Sequence, residues 1–151
     1  MKVLSLFDGI SCGMLALQRA GIPVECYDAF EIDKYAVTVS KRNFPVIVHH
    51  GNVYDGDFTK FQGYDLLLGG SPCTYWSIAK KDREVDCNGE GFRLFKEYVR
   101  ALEESGCKYF LYENNYSVHQ NIKDEITRVL GVEPIMINSA LVSAQNRKRC
   151  Y

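Results

Sequence analysis

The chain has 151 residues, 46% of them hydrophobic and 25% charged, with 18 Lys plus Arg against 19 Asp plus Glu. That length fits one domain and that composition fills one core, which excludes a disordered chain, a collagen-like repeat and a disulfide knot. A net charge of −1 excludes a generally basic nucleic-acid-coating protein, though not a site-specific enzyme whose charge is local.

Lys2 to Phe7 is a short apolar run, read as a buried strand. Asp8-Gly9-Ile10-Ser11-Cys12-Gly13 is a turn, Met14 to Ala20 a helix, and Gly21 its left-handed cap. Val24 to Glu31 is a second strand. Asp33 N-caps a helix from Lys34 to about Arg42, which must end before Pro45. Val46-Ile47-Val48 and Tyr64 to Leu68 are the third and fourth strands. Leu94, Phe95, Tyr98, Ala101 and Leu102 share one helical face, and Gly106 stops that helix. Tyr109 to Tyr112 is a fifth strand. Ser117 and Gln120 stand at capping-box spacing and open a helix closed by Gly131. Glu133 to Ile137 is a sixth strand, and Arg149-Cys150-Tyr151 starts another element.

No internal repeat or linker interrupts this order. No apolar stretch approaches the roughly 18 residues that span a bilayer, and Met1 to Phe7 is too short for a signal peptide. The six cysteines, at 12, 26, 73, 87, 107 and 150, include no CxxC pair. No metal site is therefore expected, and the thiols read as reduced groups of a cytoplasmic protein.

Strands alternating with helices argue for an α/β fold, a mainly parallel sheet with helices on both faces. Such sheets bind ligands at the carboxyl ends of their strands, which puts turns 8–13, 69–77 and 113–116 on one rim. In the first turn, glycines let a ligand approach the backbone, and a helix start offers free N–H donors. Glu31, ending the second strand, can accept from both hydroxyls of a ribose. Together they suggest an adenosine-containing cofactor. The spacing is not GxGxxG, which counts against a dinucleotide, and a ligand-free strand–helix turn has the same pattern.

In the second turn, Cys73 follows Pro72 at the end of a buried strand, where a thiolate can be a nucleophile; an inert buried thiol is the alternative. Glu113 ends the fifth strand. A carboxyl group near a thiolate tends to keep its proton and can donate it, or it can merely cap the next element. Arg147 and Arg149 alternate on an extended segment. They can grip a phosphate or carboxylate, or belong to a solvated basic stretch.

These four sets, in this order and spacing from Leu4 to Tyr151, resemble the cytosine-C5 DNA methyltransferases. Phe7-Asp8-Gly9-Ile10 with Gly13 looks like that family's cofactor turn and Gly69-Gly70-Ser71-Pro72-Cys73 like its nucleophile loop. Glu113-Asn114 and Gln145-x-Arg147-x-Arg149 look like its Glu-Asn and Gln-x-Arg-x-Arg motifs. Gly91-x-Arg93-Leu94-Phe95, with the first two motifs, leans toward the de novo-type branch.

The resemblance implies a Rossmann-like S-adenosylmethionine-dependent methyltransferase fold and transfer of a methyl group to C5 of a cytosine flipped out of double-stranded DNA. Cys73 would attack C6, Glu113 would hold N3 and N4, and Arg147 and Arg149 would steady the base and backbone. For the cofactor, S-adenosylmethionine, it implies Phe7 against adenine, Glu31 on the ribose, Ile32 on adenine, and Pro72 and Leu94 nearby. The backbone of Asp8, Gly9, Ile10, Ser11 and Gly13 would meet the methionine part. Asn52, where the family usually has Asp, would stand beside Val53 at the adenine amino group. Ser71 and Asn114 would line the base pocket. The polar stretch 77–91 would close over it as a lid, mobile without DNA, with Ser77, Lys80 and Lys81 on phosphates.

Two departures are local: Asn115 replaces the usual Val, and Thr74 stands where Gln or Asn is common. A larger one is that the family continues into a target-recognition region and a final helix. Residues 1–151 are thus expected to be a partial catalytic and cofactor-binding domain, truncated at the carboxyl end and weakly active alone. A carboxyl-terminal half or partner subunit would supply recognition. A bacterial or phage enzyme, acting at the nucleoid in restriction-modification or self-protection, fits this core. The alternatives are an RNA (tRNA) cytosine-C5 methyltransferase, a non-catalytic subunit of a split methyltransferase, and a nucleotide-dependent oxidoreductase. His49, His50 and His119 lie outside the motifs and are assigned to structure.

Overall fold

A computed structural model describes residues 1–77 and 79–151; Ile78, within the polar 77–91 stretch, lies outside the described residues. The chain divides into two compact units, Met1–Gly69 with Glu97–Leu111, and Gly70–Lys96 with Tyr112–Tyr151.

The first unit is built on strands β1 (Lys2–Leu6), β2 (Cys26–Phe30), β3 (Val48–His49), β4 (Leu66–Gly69) and β5 (Tyr109–Tyr112). Their order is β3-β2-β1-β4-β5, and β1 runs parallel to both β2 and β4, as β2 does to β3. Val3, Leu4 and Leu6 of β1 are fully buried. A strand covered on both faces must read as a continuous apolar run, and this one does. Helix α1 (Cys12–Arg19) contributes Met14 and Leu17 to a cluster with Val3, Tyr27, Ala29, Ile47 and Leu68. The other face of β2 carries Phe30, whose ring meets Phe58 and Phe61 edge-on at 5.1 and 5.9 Å. Tyr98, from helix α3 (Glu90–Ser105), donates to the Leu67 carbonyl at 3.2 Å. The strand order switches between β1 and β4, so the carboxyl ends of these two strands define the crevice where a ligand is expected in such sheets.

Asp33 caps helix α2 (Lys34–Asn43) as expected, its carboxylate accepting from the Tyr35 amide at 2.8 Å. Gly21, Gly106 and Gly131 all sit at positive φ past helix ends. Strand β3 starts two residues later than the apolar run suggests, because Ile47 N–H closes a turn onto the Phe44 carbonyl around Pro45.

The second unit holds the first turns of α3, helix α4 (Gln120–Leu130) and a three-stranded sheet of β6 (Asn114–Asn115), β7 (Met136–Asn138) and β8 (Lys148–Cys150). Its order is β6-β8-β7, and both pairings are antiparallel. The strand anticipated at 133–137 is thus a partner of β8 and does not extend the parallel sheet. Residues 139–147 connect β7 to β8, too short for a parallel crossover but enough for an antiparallel return. The capping box is not formed either. Helix α4 starts after His119, Gln120 turns its amide to Asp124 at 2.6 Å, and the Ser117 carbonyl accepts from Arg83 at 3.0 Å. No helix among the described residues is long and apolar enough to cross a membrane.

Candidate functional site

In the first unit the turn after β1 is bent in an unusual way. Phe7, Gly9 and Ser11 have φ of 56, 60 and 65°, a region that costs non-glycine residues on the order of 1 kcal/mol or more each. Side chains hold the bend. Asp8 Oδ1 accepts from Ser5 Oγ at 2.6 Å and from the Tyr27 hydroxyl at 2.7 Å, and Asp8 Oδ2 accepts from Ser11 Oγ. The Asp8 carboxylate therefore faces inward, beneath the turn. Burial, then the nearby Asp8 charge, pushes the Tyr27 hydroxyl pKa well above its ordinary value, so the phenol keeps the proton it donates.

Glu31, just past β2, is the second fastener. Its Oε2 accepts from the Gly9 amide at 2.7 Å and its Oε1 from the Asp33 amide at 2.8 Å. An ionised carboxylate offers about four acceptor positions, so two remain. Ile32 is 76% exposed and Ile10 is 49% exposed. The Asn52 side-chain oxygen accepts from the Tyr54 amide at 3.2 Å and caps the short turn Val53–Asp55, with Val53 buried beneath it. Phe7 and Gly13 are half-buried.

In the second unit the loop carrying Cys73 is pinned at Ser71. Ser71 is buried, its hydroxyl lies 2.6 Å from the Tyr112 hydroxyl, and its carbonyl accepts from Asn114 Nδ2 at 3.0 Å. Gly70 approaches the Glu113 carbonyl so closely that any Cβ would overlap it. Pro72 leads into the tight turn Cys73–Tyr75, and the Cys73 carbonyl accepts from the Trp76 and Ser77 amides at 3.1 and 2.9 Å. Cys73 itself is a free, partly exposed thiol.

Glu113 follows Tyr112 and faces Arg149, whose Nε lies 2.7 Å from its Oε1. That oxygen is buried and has no aligned hydrogen-bond donor, so the contact is an ion pair. The β6–β8 register explains the meeting, since Asn115 stands opposite Arg149. Arg147 does not join it: it is exposed, and its amide donates to Asn138 Oδ1 at 3.0 Å. Leu94 is half-buried on α3.

Within the 77–91 stretch, Lys80 and Lys81 are exposed, and Ser77 Oγ accepts from the Ala79 amide at 3.2 Å. Three contacts tether this stretch that the sequence did not reveal. Glu84 Oε2 accepts from the buried Trp76 indole at 3.1 Å and from the Gly91 amide at 3.1 Å, at the start of α3. Arg83 holds the Ser117 carbonyl. A carboxylate at a helix start, seven residues before a helical glycine, is the signal that would have found the Glu84 contact. A second missed feature is Tyr116, with Lys123 Nζ 4.9 Å and Lys148 Nζ 6.0 Å from its ring centre. No group of three or more His, Cys, Asp and Glu side chains suited to a metal ion occurs among the described residues.

A parallel sheet whose strand order switches at a strand–turn–helix, with an acid ending the next strand, has the Rossmann-like architecture of S-adenosylmethionine-dependent methyltransferases. The chain belongs to the C-5 cytosine-specific DNA methylase family, whose profile matches residues 1–151. It is 33% identical over 165 residues to the orphan methyltransferase M.SPRI of Bacillus phage SPR, covering 100% of this chain and 37% of that protein. It is 34% identical over 116 residues to the type II methyltransferase M.HgiCII of Herpetosiphon aurantiacus, covering 75% of this chain and 25% of that protein. The crystal structure of the S. pombe Dnmt2 methyltransferase shares the fold, with a TM-score of 0.71 at 17% identity, covering 99% of this chain and 47% of that chain. The chain thus spans less than half the length of each of these relatives.

Proposed function

We propose that this chain is the catalytic part of an enzyme that transfers a methyl group from S-adenosylmethionine to C5 of cytosine in DNA. The observation that carries the reading is the second unit's construction. Cys73 and Glu113 stand on two segments fastened to each other by the Gly70–Glu113 approach and the Ser71–Tyr112–Asn114 hydrogen bonds. Two reactive groups held on a pre-formed frame are what covalent catalysis on one base requires. The phage and type II methyltransferase relatives support DNA as the polymer.

The first unit's turn suits the methyl donor. Glu31 keeps free acceptor positions for two ribose hydroxyls, Ile32 offers bare aliphatic surface to adenine, and the Asp8–Gly13 backbone is set by bonds from below. Phe7 and Val53 belong to the same set. Asn52 keeps one amide-oxygen lone pair beyond its cap, enough to accept from an adenine amino group. Pro72 and Leu94 are assigned to the cofactor by family resemblance. When bound, S-adenosylmethionine supplies an electrophilic methyl group on a positively charged sulfur.

Cytosine C5 is a poor nucleophile while the ring is aromatic. Cys73 Sγ, as thiolate, bonds to C6, and the C5=C6 electron pair moves into the ring. Glu113, held by Arg149 at Oε1 and carrying a proton on Oε2 for this step, places that proton on N3, so no negative charge is stranded there, and C5 becomes enamine-like and reactive. After methylation a base removes the C5 proton, the C6–S bond breaks, the thiolate leaves with its electron pair as C5=C6 reforms, and N3 returns its proton to the Glu113 carboxylate. Arg149 fixes the Glu113 carboxyl group. Ser71 and Asn114 keep the frame, Arg147 is free to reach the strand, and Ser77, Lys80 and Lys81 supply phosphate contacts.

The test offers the intact protein tritiated S-adenosylmethionine with duplex DNA or with tRNA. Label recovered as 5-methylcytosine in DNA is expected. Label in tRNA alone would move the substrate to RNA. No transfer to either, together with calorimetric binding of NAD and not of S-adenosylhomocysteine, would overturn the reading.

A further inference from the structure

We propose that Ser40 and His49 are positioning residues for the cofactor turn, acting through a one-way hydrogen-bond relay from His49 to Ser40 to Ser11 to Asp8. The inference rests on the reading of residues 7–13 as the turn that meets the methyl donor. Neither residue belongs to a motif: Ser40 is on α2 and His49 ends β3.

The direction of the relay follows from counting protons. An ionised carboxylate only accepts, so Ser11 donates its single hydroxyl proton to Asp8. Ser11 Oγ also lies 2.5 Å from Ser40 Oγ, and having no proton left it accepts there. Ser40 has then used its own proton, so its contact with His49 Nε2 at 3.1 Å is one in which the imidazole donates. This fixes the tautomer of the neutral ring: the proton is on Nε2, and Nδ1 is bare. His49 Nδ1 is buried without a hydrogen-bond partner, as a ring committed at its other nitrogen would leave it. The charged and titratable groups that act on His49 are Asp8, Lys41, His50 and Glu31.

The relay matters because of where it ends. Ser11 is a fully buried non-glycine residue at φ 65°, with no side-chain cap bond to the helix it opens. Such a conformation persists only where its surroundings over-determine it. Ser11 Oγ is held by Asp8 on one side and Ser40 on the other, and Ser40 is fully buried as well. Removing the Ser40 hydroxyl leaves Ser11 Oγ held by Asp8 alone and takes the acceptor away from the His49 Nε2–H. The turn would then sample conformations whose amides no longer face a ligand.

Four proteins are compared: wild type, Ser40→Ala, His49→Leu and His49→Gln, whose amide nitrogen can replace the Nε2 donor. Calorimetric binding of S-adenosylhomocysteine and hydrogen exchange of the 8–13 amides are measured, with thermal unfolding as control. Ser40→Ala and His49→Leu are expected to weaken binding about tenfold and to speed exchange in the turn beyond that elsewhere in the first unit. His49→Gln is expected to restore both toward wild type. Wild-type binding and turn exchange in Ser40→Ala, or His49→Gln as impaired as His49→Leu, would overturn the proposal. If wild type itself binds no S-adenosylhomocysteine, the cofactor reading falls. Exchange alone then decides the relay, faster turn amides in Ser40→Ala upholding it and unchanged ones rejecting it.

Discussion

The two turns proposed to hold the cofactor and the nucleophile are fastened by different chemistry. The cofactor turn of the first unit, residues 7–13, is held by carboxylates: Asp8 gathers three hydroxyls and Glu31 takes the Gly9 amide. The segment leading to the proposed nucleophile in the second unit, residues 70–72, is held by neutral groups and by close backbone contact at Ser71, Tyr112, Asn114 and Gly70. The first can be loosened one side chain at a time. The second depends on a steric fit that no polar substitution can imitate. The difference matches the two proposed tasks. A cofactor must enter and leave, so its turn gains from adjustable bonds, whereas a nucleophile needs a fixed approach to one ring carbon.

The comparison can be broken first at Cys73. Cys73→Ala should lower methyl transfer by at least about 10³-fold in a radiolabel assay while leaving the melting temperature near wild type, because the half-exposed thiol packs little. Next is Gly70→Ala, whose Cβ has no room beside the Glu113 carbonyl. It should destabilise the protein by about 1–3 kcal/mol in denaturant unfolding and abolish activity with it. Glu31→Ala removes a charged acceptor and the Gly9 clamp together. It should weaken S-adenosylhomocysteine binding about 10- to 100-fold by calorimetry, with no matching loss in Asn114→Ala. Asn114→Ala should instead cost about 1–2 kcal/mol of stability by leaving the Ser71 carbonyl unpaired.

The smallest effect sharpens the contrast in pH. Burial, the largest influence on His49, lowers its pKa, with Asp8 and Glu31 opposing and Lys41 and His50 assisting. The folded state therefore favours the neutral ring. Its contribution to stability is complete above the ordinary imidazole pKa of about 6.5 and declines as pH falls from there toward the lower folded value. Melting temperatures between pH 5 and pH 8 should show this slope in wild type and a flatter one in His49→Gln.

Much of this was legible in the sequence where local rules decide. The buried run of β1, the Asp33 cap and the glycines at 21, 106 and 131 each obey a constraint of one turn or strand. The candidate site residues were legible as motifs, and the structure sets Glu113 against Arg149 and fastens the Gly70–Ser71 segment to the Tyr112–Asn114 segment. What the sequence concealed was long-range. Ser117 and Gln120 have capping-box spacing, yet Arg83 claims the Ser117 carbonyl and Asp124 claims Gln120. The run at 133–137 has strand composition, and only the short 139–147 return decides that it pairs antiparallel with β8. Nor does the sequence show that the Asp8 carboxylate gathers three hydroxyls, from Ser5, Ser11 and Tyr27. Ser40 and His49 carry no motif at all, because their partners lie 29 and 9 residues away from Ser40.

The most direct test of the central claim is covalent trapping. The intact protein is incubated with S-adenosylmethionine and duplex DNA containing 5-fluorocytosine, whose fluorine cannot leave as a cation, and the adduct is mapped by peptide mass spectrometry. One DNA-linked peptide is expected, joined through Cys73 and absent in Cys73→Ser. No adduct while methyl transfer to ordinary DNA proceeds, or an adduct joined through Cys12 or Cys150, would contradict it.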